Sequence, residues 1–391
     1  MLFQALDNKN DCVGVYMGGK LYFDDNLPGN LTKTWSFAPY LPDVEYASLY
    51  VGGKSLEEVC PEHLKEDWTQ VSAKLRAFYR SFVLAKINLN ENCFFDLVDP
   101  QFLVDFCELK NRICSHVFEK YERPENYDFL LGLTKALNQI EQRPLNIDYA
   151  PLKKRQYQKK ARYFMKKYSE IGPYCRYNVF GTKTGRLTTH RDSFPILTMD
   201  RDFRDIIKPH GDWLVEFDYN AAELRTMLFL AAQEQPRGDL HEWNMSNVFQ
   251  DGRSREKAKL GVFSWLFDES KTDKRLESVY KRDEIRNKYW DGEKVVNPYG
   301  RTIAADRHHS LSYMIQSTTA DIVFRKLIEI VNLLENKESS VSFTIHDAII
   351  LDIVDKERYT IPMIKDIMTN NGFEVNVKAG KDFGSMRTLN L

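Results

Sequence analysis

The sequence predicts an α+β fold, and three stretches carry that prediction. Trp213-Leu214-Val215-Glu216-Phe217 is an extended run of aromatic and β-branched residues, followed at once by a buried helical pattern over 221–230. Residues 341–351 read as a β-hairpin, because Val341, Phe343 and Ile345 alternate with Ser342, Thr344 and His346 before a second apolar run. A long amphipathic helix is expected to follow residues 313–322 and run to about Leu334.

The first 55 or so residues are rich in Gly, Asn, Asp and aromatics, and 13–23 reads as a hairpin with Gly at its turn. Helices are expected around 62–85 and 100–120. Leu133, Leu137 and Ile140 fall at helical spacing within 131–152. Residues 153–167 then hold eight basic and no acidic residues, with Tyr157, Tyr163 and Phe164 interleaved. Solvated helical faces usually mix signs, so this stretch predicts a helix that tracks phosphates through Lys153, Lys154, Arg155, Lys159, Lys160 and Arg162. Gly181 to Thr188 is a Gly-containing turn presenting Arg186.

Asp218 stands where the 213–217 strand turns into a helix. Alone it would read as a helix cap. The second carboxylate, Asp347, falls at the turn of the 341–351 hairpin. Two strand-end aspartates on neighbouring strands can share a pair of Mg²⁺ ions, which prefer oxygen ligands. Metals held roughly 3.5–4 Å apart can clamp the attacking and leaving oxygens of a phosphoryl displacement.

Between them Arg255, Lys259, Phe263 and Phe267 recur at every fourth residue. At ~100° per residue each step drifts by only ~40°, so all four share one helical face. Core aromatics beside solvated charges would give the same stripe. Two cations followed by two aromatics also suit a triphosphate followed by a sugar and base. Residues 297–301 read as a turn, 359–370 as a helix and 373–378 as a closing strand.

Composition bounds the remaining choices. A chain of 391 residues holds two or three domains, and 43% hydrophobic content is ordinary for a soluble protein. Formal charge is −1, so the global balance gives no sign of a nucleic-acid partner. The cysteines (12, 60, 93, 107, 114 and 175) form no CxxC pair and read as reduced thiols. The start, MLFQALDNKND, does not read as a signal peptide, and no run approaches membrane-spanning length.

Three stretches in order, DYNAAELR at 218–225, Arg255/Lys259/Phe263 as RxxxKxxxF, and IHDA at 345–348, resemble the family A DNA polymerases, the group of bacterial DNA polymerase I and phage replicases. Gly181-Thr-Lys-Thr-Gly-Arg-Leu-Thr188 is similar to that family's TGRLSS. Gly238-Asp239-Leu240-His241 is similar to its DIHT, and 313–322 to its NxPIQGTAAD. The resemblance spans roughly two-thirds of the chain, from about residue 131. It implies a right-hand polymerase: a palm with a small antiparallel sheet, helical fingers and a short helical thumb, plus an N-terminal α/β domain. The expected boundaries are 1–125 for the N-terminal domain, 126–182 for pre-thumb and thumb, 183–240 and 300–391 for the palm, and 241–299 for the fingers.

By the same resemblance Asp218, Asp347 and the Tyr219 carbonyl bind two Mg²⁺, with Mn²⁺ an accepted substitute. Lys259 also protonates the leaving pyrophosphate. Glu223, His241, Arg255, Phe263 and Phe267 contact the nucleotide, while Arg186, Gln316, His346 and Arg301 contact DNA. Departures are Ala348 for the family's Glu, Phe267 for its Tyr, Ser312 for Asn, and a shortened thumb and fingers. An Asp-x-Glu nuclease pair is missing from any suitable strand before residue 125. Asp24-Asp25 sits in a turn, and Asp96 and Asp99 are wrongly spaced, so the N-terminal domain reads as vestigial or unrelated.

The expected function is template-directed DNA synthesis on primed template from dNTPs, without proofreading, in the cytoplasm of a bacterial or phage-infected cell. A processivity factor or a helicase/primase is a possible partner, and no membrane is involved. Two alternatives stand beside it. One is a single-subunit RNA polymerase or primase-like enzyme, against which Glu223 argues. The other is an inactive DNA-binding relative, against which the joint presence of Asp218, Asp347, Arg255 and Lys259 argues.

Overall fold

The computed structural model describes residues 1–391 except 7–13, 24–26, 40, 42, 90, 91, 269 and 391. Val13, Asp24, Asp25 and Cys12 therefore lie outside the described residues. The chain divides into two compact units, Met1–Lys135 and Ala136–Leu391, with the division inside the Tyr127–Glu141 helix.

The first unit pairs a three-stranded antiparallel sheet with two long helices. Gly14–Met17 and Lys20–Phe23 form a hairpin around Gly18 and Gly19, whose φ angles of 55° and 83° suit glycine in a two-residue turn. Lys65–Leu84 and Pro100–Lys120 are the helices; the latter starts where Asp99 accepts the Phe102 N–H at 2.9 Å and Pro occupies the first turn. Its apolar stripe, including Phe102, Phe106, Ile113 and Val117, forms the unit's core with Trp68 stacked on Phe106. The Phe94–Leu97 segment, which holds Asp96, is a 3₁₀ turn and not a strand.

Cys93 is disulfide-bonded, which corrects the expectation of reduced thiols throughout; Cys60, Cys107, Cys114 and Cys175 are free and buried. The spacing rule looks for CxxC pairs, and Cys93 belongs to none, so its bridge leaves no such mark in the sequence.

The second unit is built on a five-stranded antiparallel sheet, in the order Ser340–Ile345, Ala348–Ile353, Trp213–Tyr219, Val375–Gly380, Arg387–Thr388. Trp213–Tyr219 lies at the centre of the sheet, and Leu214, Val215 and Phe217 are all fully buried, so residues on both of its faces are covered. The 27-residue helix Arg307–Leu333 packs against the Ala222–Leu230 helix and the Ser340–Ile345 strand; Asp306 caps the helix by accepting the His309 N–H at 2.8 Å. Thr319 on this helix meets Thr226 of the Ala222–Leu230 helix in a buried 2.8 Å hydroxyl contact. A second apolar cluster joins Ala222–Leu230, Arg255–Phe267, Lys274–Tyr280 and Arg282–Tyr289, with Trp265 and Tyr280 at its centre.

The basic stretch 153–167 is not one helix. It breaks into Ala150–Lys154 and Lys159–Ile171, because Arg155 turns inward to Asp205 at 2.6 Å and the chain makes a turn over 155–158. Among the described residues no helix is long and apolar enough to cross a membrane.

Candidate active site

The site begins with strand register. Asp218 pairs with Ala348 on one side and Asn376 on the other. Asp347 immediately precedes Ala348 in the two-residue turn between Ser340–Ile345 and Ala348–Ile353. Both carboxylates thus stand at the same end of adjacent strands. A strained residue lies near each: His346, directly before Asp347, and Ala221, three residues after Asp218, both sit in the left-handed region, at φ 53°. Such conformations cost on the order of 1 kcal/mol each and gather where geometry is fixed for a purpose.

Asp218 and Asp347 line one cavity of about 590 Å³. Arg186, Glu223, His241, Arg255, Lys259, Phe263, His346 and the segment from Tyr219 to Ala222 line it as well. Burial raises the Asp218 carboxyl to about 7, and the charges of Asp347 and Glu216 add to that rise. Lys378 opposes it but is itself paired with Glu216 at 2.8 Å. Asp347 is raised as well, by burial first, with Glu223 adding and His346 and Arg186 opposing.

Two half-buried carboxylates at one end of adjacent strands, both with raised pKa, offer the hard oxygen donors that fit a divalent cation such as Mg²⁺. Among the described residues no group of three or more His, Cys, Asp or Glu side chains is arranged around a metal position. An ion here would complete its shell with backbone oxygen, water or phosphate, as Mg²⁺ commonly does.

Opposite the carboxylates, Ser254 caps the Arg255–Phe267 helix. Arg255, Lys259 and Phe263 face the cavity from it. Phe267 is 45% exposed and stacks on Phe263 at 6.0 Å without lining the cavity. His241 is buried at 5% exposure, its Nδ1 has no partner, and its ring lies 6.1 Å from that of Phe263. Burial holds its pKa down, and Arg255 and Lys259 reinforce this against Asp239.

Arg186 donates to the Glu223 carboxylate, so the residue expected at DNA and the residue expected at the sugar are paired here. The turn carrying Arg186 needs its glycines. A Cβ at Gly181 would fall 1.8 Å from Thr188, and Gly185 has φ +77° with the Arg301 guanidinium 2.5 Å from where a Cβ would lie.

The remaining expected residues lie outside the cavity. Arg301, expected at DNA, is engaged elsewhere: its guanidinium holds Asp321 at 2.6 Å, and Asp321 is 1% exposed. Arg155 is likewise occupied by Asp205. Lys153, Lys154, Lys159, Lys160 and Arg162 are exposed, with Lys160 within 3.7 Å of Asp200 and Arg162 bonded to the Gln156 carbonyl. Gln316 is half-buried on the Arg307–Leu333 helix.

No protein-family model matches the sequence, and no curated protein matches it. Among solved structures the chain is similar to the POL domain of Pol1 from M. smegmatis, solved in complex with DNA primer-template and dNTP. The TM-score is 0.59 at 13% identity, over 73% of this chain and 76% of that one. The chain has the fold of a DNA polymerase domain.

Within this polymerase fold two supporting residues, Tyr177 and Arg225, have roles that the sequence did not assign. Tyr177 donates to the Thr344 carbonyl at 2.7 Å and accepts the Thr344 N–H at 3.0 Å, which docks the Arg186 loop beside the Asp347 hairpin. Tyr177→Phe leaves both buried backbone groups unpaired and is expected to cost about 1–3 kcal/mol; urea denaturation measures it, and an unchanged midpoint would contradict the docking role. Arg225, fully buried, donates to the carbonyls of Asn220, Pro236 and Gly238 at 2.7–2.9 Å.

Proposed function

We propose that this chain is a template-directed DNA polymerase that adds deoxynucleotides to a primer 3′ end. One observation carries the reading: strand register brings Asp218 and Asp347 to one cavity that the Arg255–Phe267 helix overlooks with Arg255, Lys259 and Phe263. The fold likeness to a polymerase domain supports it. In this reading 126–182 is pre-thumb and thumb, 183–240 and 300–391 the palm, and 241–299 the fingers.

Asp218, Asp347 and the Tyr219 carbonyl would hold two Mg²⁺ ions, or Mn²⁺, which when bound acidify the primer hydroxyl and neutralise the triphosphate. The chain's own residues do the rest. Arg255, Lys259 and His241 bind the triphosphate, and Phe263 packs against the sugar. Lys259 gives its proton to the departing pyrophosphate, which requires hydrogen-bond reach. Arg186 leaves Glu223 to enter the minor groove, where acceptors occur at every base pair. The exposed lysines 153, 154, 159 and 160 hold phosphates without reading sequence.

Glu223 excludes a 2′-hydroxyl from the sugar position. Glu223→Ala is expected to raise ribonucleotide use relative to dNTP by about 100-fold, or ~2.7 kcal/mol of discrimination. Competitive incorporation measures this; an unchanged ratio removes the assignment. The function itself is tested by extending a primed template of known sequence. Products that follow the template with dNTPs support it, and their absence sinks it. Incubated without dNTPs, the same primer should keep its 3′ end intact: the Asp-x-Glu pair before residue 125, Asp43 and Glu45, has Glu45 ion-paired to Arg123 at 3.6 Å and to Lys33 at 3.7 Å.

A further inference from the structure

Asp239 joins two parts of the site that chain order keeps apart. Its carboxylate accepts Nη2 of Arg255 at 2.6 Å and Nε at 3.1 Å, the Asn220 side-chain amide at 3.0 Å, and the Glu242 N–H at 2.9 Å. Asn220 lies two residues beyond Asp218 and is only 8% exposed. Its Oδ1 in turn accepts the Leu240 N–H at 2.9 Å, so both ends of one amide are spent on the segment that carries Asp239. A continuous polar path thus runs from the strand end at Asp218 to the first turn of the Arg255–Phe267 helix.

The geometry at Arg255 is specific. A guanidinium is a planar fork of five N–H donors, and a carboxylate that takes the Nε/Nη2 edge fixes both its plane and its direction. Nη1 remains, with the 73%-exposed Glu256 as its partner at 3.1 Å. That edge is available to an anion in the cavity that Arg255 lines with Lys259 and His241. Side-chain entropy already lost before a ligand arrives is not lost again on binding.

We propose that Asp239 is a positioning residue for triphosphate recognition: it fixes the Arg255 guanidinium and ties it, through Asn220, to the strand that bears Asp218. The proposal rests on reading the cavity as a nucleotide site, and it makes a directional claim. If Asp239 merely competed for Arg255, removing its charge would free the guanidinium and tighten anion binding. As a positioning residue it does the opposite.

Asp239→Asn separates this role from helix capping, because an amide oxygen still serves as acceptor for the Glu242 N–H. Calorimetric titration of the full chain with inorganic tripolyphosphate, and separately with dATP, is the test. Asp239→Asn should weaken both about 10-fold. Arg255→Ala should weaken them at least as much, and the double variant no further, since both remove one device. Duplex DNA affinity should stay unchanged. In primer extension the variant should raise KM for dNTP about 10-fold with kcat altered less than about 3-fold.

Unchanged or tighter anion binding in Asp239→Asn, or an additive double variant, overturns the proposal. Wild type that binds tripolyphosphate while Asp239→Asn binds equally well overturns the proposal alone. Wild type that fails to bind it overturns the nucleotide reading too. Should Asp239→Asn melt early, Arg255→Lys decides: it keeps the charge but cannot offer two edges, so undiminished tripolyphosphate affinity there also overturns the proposal.

Discussion

Asp218→Asn is expected to abolish primer extension while making the metal-free protein more stable. The activity loss should reach at least ~10³-fold, about 4 kcal/mol, because a neutral amide cannot hold a divalent cation against its neighbours. The gain in stability follows from the same carboxylate. Its folded pKa, about 7, lies above the ordinary carboxylate value because burial and the charge of Asp347 disfavour ionisation. A group raised in this way contributes stability that is fully present below about pH 4 and lost as pH rises through about 7.

Above that window the metal-free wild type carries a half-buried charge that the variant lacks. The shift corresponds to roughly 2–4 kcal/mol once water reaching the cavity is discounted. At pH 8 without metal, Asp218→Asn should therefore melt several degrees higher than wild type. Below pH 4 the two should coincide. Adding Mg²⁺ should raise the wild-type melting temperature and leave the variant's in place. Thermal melting across pH, with and without Mg²⁺, measures all three. A variant that melts lower than wild type at pH 8 would contradict the electrostatic account.

The second large effect is structural. Asp321, 1% exposed, accepts Nη2 of Arg301 at 2.6 Å, Nε at 3.1 Å and the Asn297 amide at 2.7 Å. Asn297 in turn accepts the backbone N–H groups of Tyr299 and Arg301 at 3.0 Å each, so this aspartate anchors the whole 297–301 turn. The Arg301 guanidinium also fills the space beside Gly185, next to Arg186.

Asp321→Ala leaves a buried cation without its partner, and the expected cost is about 3–5 kcal/mol. That should lower the melting temperature by roughly ten degrees for a unit of this size. Replacing both partners by apolar residues, Arg301→Met with Asp321→Leu, should recover most of the loss, because no unpaired charge remains. Denaturant melts of the single and double variants measure it. If the single variant loses less than about 1 kcal/mol, the turn is held by something else.

Much of the fold could be read from pattern. The 213–217 run, the hairpin turning at His346-Asp347 and the long helix reaching about Leu334 each announce themselves by strand alternation or helical spacing; the sheet follows them, and the helix Arg307–Leu333 begins earlier than expected. Within the site, residues on one strand end or one helix face were legible because local periodicity fixes where they point. Asp218, Arg255, Lys259 and Phe263 are of that kind.

Partners distant in sequence were not legible. Asp239 looks like a cap and gives no sign of Arg255. Tyr177 looks like any aromatic, though its hydroxyl serves a strand 167 residues away. Arg301 reads as a surface cation until Asp321 is found beneath it. Arg155 breaks a basic run whose composition alone suggests one helix, because Asp205 draws it inward. In each case the deciding contact is a tertiary hydrogen bond or ion pair, which no local period records.

The central claim is that Asp218 and Asp347 act as one metal-binding unit. Single-turnover primer extension in Mg²⁺ by Asp347→Asn, beside wild type, Asp218→Asn and the double variant, tests it most directly. The account predicts that all three variants fall to the same background, with the double no slower than either single. Extension by Asp347→Asn at the wild-type rate would contradict it.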